Sequence, residues 1–104
     1  MRTTKEIITP IGKHKIVLYD YVIGREIEEI EDIYMAEQKE GDKSTFRKAA
    51  HKSIEMLVVS IDEKDNKILD RMLDFRREDY RAVIEEITKI IEVKGGTDKK
   101  KVEN

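Results

Sequence analysis

The segment KEIITPIGKHKIVLYDYV, residues 5–22, distinguishes this chain from an all-helical protein. Its two arms are rich in β-branched and aromatic residues, and Pro10 and Gly12 between them are typical of a reversing turn. The segment therefore predicts an N-terminal β-hairpin over 5–22. Because a lone hairpin is only marginally stable in water, it must pack on the rest of the domain or pair with another strand.

Beyond the hairpin, apolar residues recur at spacings of three and four, which is typical of amphipathic helices. In the second of these patterns Ile54, Leu57, Val58 and Ile61 share one stripe, which favours a helix continuing to residue 61. Four helices are predicted in all, at about 24–40, 44–61, 67–75 and 78–92.

After the last stripe, Gly95 and Gly96 are followed by a lysine-rich segment without periodicity. Two adjacent glycines favour the end of a helix and then a flexible chain, so residues 94–104 are expected to form a disordered tail. The prediction is one compact domain over 1–93. Its fold class is α+β and mostly helical, with an N-terminal β-hairpin packed on about four α-helices.

Composition excludes several function classes. A chain of 104 residues can form one modest core, and a net charge of -2, from 21 basic and 23 acidic residues, gives no strong attraction to nucleic acid or to an anionic membrane. The apolar runs are far shorter than the roughly 20 residues needed to span a bilayer. Without cysteines or a signal-peptide pattern, the chain is expected to be cytoplasmic and to bind proteins rather than nucleic acid or membranes.

No residue pattern indicates catalysis. His14 and His51 are the only imidazoles and lie on different predicted elements, and no cysteine could complete a transition-metal site. The acidic residues are spread along a helix instead of converging as a pair in a cleft. We therefore predict a protein that is not an enzyme and has no cofactor or metal site.

Two features suggest protein binding. Residues 25–40 hold seven acids against two basic residues, whereas residues 43–53 hold four basic residues and no acid. Such segregation can be an ordinary solvated surface, but complementary patches also align partner helices or copies of one chain. Tyr19 and Tyr21, two positions apart, lie on the same side of the second hairpin arm. There they could bind a partner or pack in the core.

Three stretches together resemble the tail assembly chaperones of long-tailed phages and prophages. The first is TPIGKHKIVL, residues 9–18, which leads through Gly24-Arg25-Glu26 into a helix. The second is LVVSID, residues 57–62, and the third is Leu73-Asp74-Phe75 followed by Asp79-Tyr80 and Val83. The resemblance covers roughly residues 7–92 and contains no catalytic signature.

The resemblance implies a small chaperone, in its short form, that coats the tape measure protein and helps to recruit tail tube subunits. It also implies a homo-oligomer that acts in the host bacterial cytoplasm and is absent from the mature virion. In this family a longer form made by ribosomal frameshifting often carries the segment that binds the major tail tube protein. The expected partner-binding residues include the two hairpin tyrosines and apolar residues of two helices. They are Tyr19, Tyr21, Ile27, Ile30, Tyr34, Tyr80 and Ile84.

Two other function classes remain as alternatives. A small DNA-binding or antitoxin-like regulator could combine a hairpin with helices, but the negative net charge and the lack of a compact basic recognition helix weaken it. A small structural or head-tail joining component of the phage particle would share cytoplasmic synthesis and oligomerisation. Salt-dependent DNA binding would favour the first alternative, and presence in purified virions the second.

Overall fold

The hairpin predicted at the N-terminus is present, and it belongs to a three-stranded antiparallel sheet. A computed structural model describes residues 2–40 and 47–102 of the chain, with side chains at 2–36 and 47–92. The strands are β1 (Thr4–Ile8), β2 (Lys15–Tyr19) and β3 (Val58–Ile61), in the sheet order β1-β2-β3. The hairpin strands thus end at Tyr19, and residues 20–22, predicted as part of the hairpin, lie outside the sheet.

In the described ranges four helices accompany the sheet, so the α+β prediction is confirmed. They are α1 (Gly24–Glu40), α2 (Arg47–Leu57), α3 (Ile68–Leu73) and α4 (Arg77–Val102). The bounds of α1 agree with those predicted, and α3 is shorter than the predicted 67–75. The α4 helix extends to Val102, well past the predicted end at 92, so Gly95 and Gly96 do not end it. A domain limited to 1–93 stays a prediction.

The prediction of one helix over 44–61 was wrong at its C-terminal end, and its start at residue 44 lies outside the described residues. The helix ends at Leu57, and Val58 begins the third strand, which pairs with β2. Residues 58–61 include three β-branched residues, which favour a strand. Strand β3 thus forms hydrogen bonds with the free edge of β2. Such pairing was expected, because a hairpin alone is only marginally stable.

A β-bulge places Val58 and Ile61, the two buried residues of β3, on one side of the sheet. Ile16 is paired with Ile61 and Val17 with Ser60, but Leu18 is paired with Val58, so one residue of β3 has no counterpart. The extra residue changes the alternation of the strand. Consequently Val58 and Ile61, three positions apart, are both buried on the same side as the fully buried Ile16 and Leu18.

The hydrophobic core lies between this face of the sheet and helices α2, α3 and α4. The buried residues of α2 and α4 follow helical spacing, α3 contributes Met72, and half-buried apolar side chains surround them. The core residues are Ile16, Leu18, Ile54, Leu57, Val58, Ile61, Met72, Val83, Ile87 and Ile90. The α1 helix packs along α2, and among the described residues it supplies none of these core side chains.

Candidate protein-binding surfaces

Arg2 joins the N-terminus to the sheet and to the start of α1. Its guanidinium donates two hydrogen bonds to the Glu26 carboxylate, at 2.8 and 3.0 Å, and one to the carbonyl oxygen of Tyr21 at 2.7 Å. The same group lies over the Tyr19 ring, 4.0 Å from its centroid, and 5.1 Å from the centroid of Tyr21. Such bidentate and cation–π contacts hold a guanidinium in one orientation.

Glu26 also stabilises the start of α1. One of its carboxylate oxygens accepts the backbone N–H of Ile23 at 3.2 Å, which is the reach-back contact of a capping box. Burial alone would raise the pKa of Glu26, but the hydrogen bond from Arg2 and that from Ile23 hold the pKa below its ordinary value. The two tyrosines predicted to bind a partner therefore already contact Arg2 of their own chain.

Replacing Arg2 by Ala is expected to lower the free energy of unfolding by about 1–2 kcal/mol, because the bidentate pair and the ring contacts are lost together. The measurement is urea denaturation followed by circular dichroism. Arg25→Ala is the matched control, since Arg25 is an exposed arginine one residue before Glu26. Equal losses at the two positions would show that the Arg2 contacts do not stabilise the fold.

The apolar stripe of α1 begins at Ile23, the residue before the helix, and continues through Ile27, Ile30 and Tyr34 at spacings of three and four. Ile27 and Ile30 are half-buried, whereas Ile23 and Tyr34 are 42% and 43% exposed. An amphipathic helix usually turns its apolar side into the core. Here that side lies outside the hydrophobic core and remains partly open, which makes the apolar stripe a candidate protein-binding surface.

A second surface of the same helix, the acidic face, consists of Glu28, Glu31, Asp32 and Met35. These residues occupy positions i, i+3, i+4 and i+7, so they share one side of the helix. All four are exposed, and Met35 is 61% exposed. No ion pair within the described ranges neutralises these three carboxylates, whereas the neighbouring Glu29 is paired with Lys52 of α2 at 3.0 Å.

The last two predicted partner-binding residues lie on α4. Tyr80 and Ile84 are half-buried and pack against the hydrophobic core. Tyr80 also lines a concavity of about 620 Å³, formed where α2, the end of α3 and the start of α4 meet. We call this concavity the basic groove. Its lining residues are Arg47, His51, Leu73, Phe75, Arg77 and Tyr80. The predicted site residues are thus distributed over three separate surfaces.

A polar junction, which shares Phe75 with the basic groove, connects the hairpin to the loop after β3. The His14 ring stacks on Phe75, with centroids 4.2 Å apart and an angle of 8° between the planes. Its Nδ1 lies 2.8 Å from the Asp62 carboxylate, which also accepts the backbone N–H of Lys15. The hydrogen bond with His14, and to a lesser extent that from Lys15, holds the pKa of Asp62 below its ordinary value. A small hollow of about 280 Å³ lies beside them.

Asp79 holds the hairpin turn. Its two carboxylate oxygens accept the backbone N–H groups of Ile11 and Gly12, each at 2.8 Å, and its side chain is fully buried. Burial would raise the pKa of this carboxyl, but those N–H groups and the Thr9 hydroxyl hold the pKa below its ordinary value of 3.8. Asp79 also lies in the first turn of α4, where the helix dipole favours a negative charge.

Gly12 is required by the same contact. A Cβ atom at this position would lie 2.8 Å from Oδ2 of Asp79 and 2.7 Å from Nε2 of His14, which is closer than van der Waals contact permits. Only a residue without a side chain lets the carboxylate approach the turn. The turn, the Asp79 carboxylate and the His14 ring are therefore packed as one unit.

The junction has a structural explanation that needs no substrate. Its carboxylates accept backbone N–H groups, and the Thr9 hydroxyl accepts the backbone N–H of His14 at 2.9 Å. Within the part of the chain that the structure describes, no group of histidine and acidic residues could hold a metal ion. The described helices include none that is long and apolar enough to cross a membrane.

Comparison of the chain with models of known protein families, with curated proteins and with solved structures finds no match.

Several residues of these surfaces were not among those predicted from the sequence. The apolar stripe was anticipated through Ile27, Ile30 and Tyr34, but Arg47, Leu73 and Arg77 of the basic groove were not. The available signal was the run of basic residues without an acid over 43–53, which includes Arg47 and His51. The remaining groove residues come from a different part of the chain, and only the packing of α2 against α4 brings them close.

Proposed function

We propose that this protein is a non-enzymatic assembly chaperone that binds an amphipathic helical client through the apolar stripe of α1. The observation that carries the proposal is that this stripe belongs to a long helix and yet lies outside the hydrophobic core. Exposed apolar residues on a helix can pair with the apolar side of another helix. A chaperone needs such a surface to cover apolar residues that its client would otherwise expose to water.

The sequence resemblance specifies the client as the tape measure protein of a long-tailed phage or prophage. A tape measure protein is long, helical and prone to aggregate, so many copies of a small chaperone would be needed to cover it. On this proposal the chain acts in the host cytoplasm, is absent from the mature virion and helps to recruit tail tube subunits. Recruitment of the major tail tube protein would fall to a longer, frameshifted form.

The first test is co-expression with the tape measure protein encoded in the same phage or prophage genome. Size-exclusion chromatography with light scattering should find both proteins in one complex that holds many copies of the chaperone. If the tape measure protein remained insoluble and this chain eluted alone, the assignment of this client would be wrong.

The variant Ile23→Ser/Ile27→Gln tests the apolar stripe directly. Loss of two apolar side chains from the contact should weaken client binding by on the order of tenfold or more. The substitutions suit helix formation, because Ile23 occupies the N-cap position, where Ser is preferred, and Gln is a good helix former. Unchanged helicity by circular dichroism would separate lost binding from lost folding.

Glu28→Gln/Glu31→Gln on the acidic face is the matched control. It changes the same helix at exposed positions and leaves the apolar stripe intact, so client binding should change by less than about threefold. If the control weakened binding as much as the stripe variant did, the apolar stripe would not be the client site.

A further inference from the structure

The acidic face of α1 and the basic groove are complementary in charge. The acidic face carries three exposed carboxylates around the exposed thioether of Met35. The basic groove carries two exposed guanidinium groups and His51 around an apolar floor. Its lining includes no acidic residue. One surface projects from a helix, and the other is a hollow large enough to take side chains of a helix.

The apolar residues of the groove are unusually open. Leu73, at the end of α3, is 52% exposed, and Phe75 and Tyr80 beside it are only half-buried. A leucine and two aromatic rings are the kind of floor that accepts a flexible methionine side chain. Apolar residues that are exposed together and surrounded by charged residues are typical of a contact surface.

The two arginines of the groove are exposed and carry its positive charge. Among the residues that the structure describes, neither Arg47 nor Arg77 is paired with an acid. Arg77 is the first residue of α4, where the positive end of the helix dipole adds to its charge. The described lining of the groove is therefore positively charged and would attract an acidic helix.

We infer that the acidic face of α1 on one copy docks in the basic groove of a second copy. Met35 contacts the floor formed by Leu73 and Phe75, and the carboxylates of Glu28, Glu31 and Asp32 lie near Arg47 and Arg77. Because the two surfaces are different, the contact is heterologous, and repeating it joins further copies into a ring or a filament.

This contact uses a different side of α1 from the apolar stripe, and it does not depend on the proposed client. Chaperone copies joined in this way could each keep the apolar stripe available. The two proposals can therefore fail separately, since one concerns self-association and the other concerns binding of the client.

The test is light scattering of the full-length wild-type protein after size-exclusion chromatography, at chain concentrations up to on the order of 1 mM. The wild-type mass should rise above that of a monomer with concentration at low salt and fall back at about 0.5 M salt, where charges are strongly screened. A monomer under all conditions would overturn the inference.

Charge reversal identifies the surfaces. Arg47→Glu/Arg77→Glu changes the net charge from -2 to -6, and Glu28→Lys/Glu31→Lys/Asp32→Lys changes it from -2 to +4. Each variant alone should associate at least about tenfold more weakly than the wild type, because like charges then face each other. Mixed together, the two variants should associate again, since each surface of one is complementary to a surface of the other.

Net charge alone could draw the two variants together, so a second pair with the same charges is needed. Lys64→Glu/Lys89→Glu also has a net charge of -6, and Asp65→Lys/Glu85→Lys/Glu92→Lys has +4, at exposed positions outside both surfaces. Each of these controls should self-associate like the wild type. If they lost self-association as fully as the surface variants did, the specific contact would be excluded.

Met35→Gln completes the test without any change of charge. Removing the thioether from the contact should weaken self-association several-fold while leaving client binding through the apolar stripe unchanged. Self-association that is insensitive to Met35 and to both charge reversals would place the contact elsewhere on the protein.

Discussion

Leu18→Ala is expected to lower the free energy of unfolding by about 2–5 kcal/mol, the range for a leucine removed from a close-packed core. Leu18 is fully buried on β2, the middle strand, and belongs to the core between the sheet and the helices. A domain of this size has a total stability of only about 5–15 kcal/mol. The variant should therefore unfold at a much lower urea concentration, which circular dichroism can follow.

Val17→Ala is the matched control for this prediction. Val17 precedes Leu18 on the same strand, points to the other face of the sheet and is only half-buried. Val17→Ala should lower the free energy of unfolding by only about 1 kcal/mol. This is expected although valine, a β-branched residue, favours a strand more than leucine does. Equal losses at the two positions would contradict the orientation of β2.

The β-bulge explains why the sequence misled at the end of α2. Ile54, Leu57, Val58 and Ile61 have the spacing of one helical stripe, and all four are buried. The first two are buried from a helix, and the last two from a strand whose alternation is changed by one unpaired residue. The apolar pattern is real, but the helix predicted from it beyond Leu57 was wrong, because a bulged strand can give the same spacing as a helix.

The surfaces of the protein also differ in whether the sequence alone can predict them. The apolar stripe and the acidic face of α1 depend on spacing within one helix, so the sequence reveals both. The contacts of Arg2 with Glu26, and of Asp79 with the turn, join residues 24 and more than 60 positions apart. No pattern of spacing contains those contacts, since they arise only when the elements pack together.

The carboxylate of Asp79 gives the second large effect. Asp79→Asn is expected to lower the melting temperature at neutral pH by about 5–15 °C. The wild-type carboxylate accepts the N–H groups of both Ile11 and Gly12, one on each oxygen. An asparagine can accept only one of them with its carbonyl oxygen and turns an NH₂ donor toward the other. The hairpin turn would thus contain a partly buried N–H group without an acceptor.

Glu78→Gln is the control for loss of charge at this helix end. Glu78 is exposed in the same first turn of α4, so both variants remove one negative charge near the positive end of the helix dipole. The control should change the melting temperature by only a few degrees. If the two variants had the same melting temperature, the hydrogen bonds to the turn would contribute little to stability.

The difference between wild type and Asp79→Asn should also depend on pH. Because the pKa of Asp79 is lowered in the folded protein below its ordinary value of 3.8, the folded state binds a proton less readily than the unfolded chain. The stabilisation is therefore fully present well above pH 3.8 and is lost as the pH falls through the lower pKa of the folded state. Thermal melts should give a constant difference from neutral pH down to about pH 5 and a shrinking one below it. A difference that stayed constant below pH 3 would show that the carboxylate charge is not what stabilises the turn.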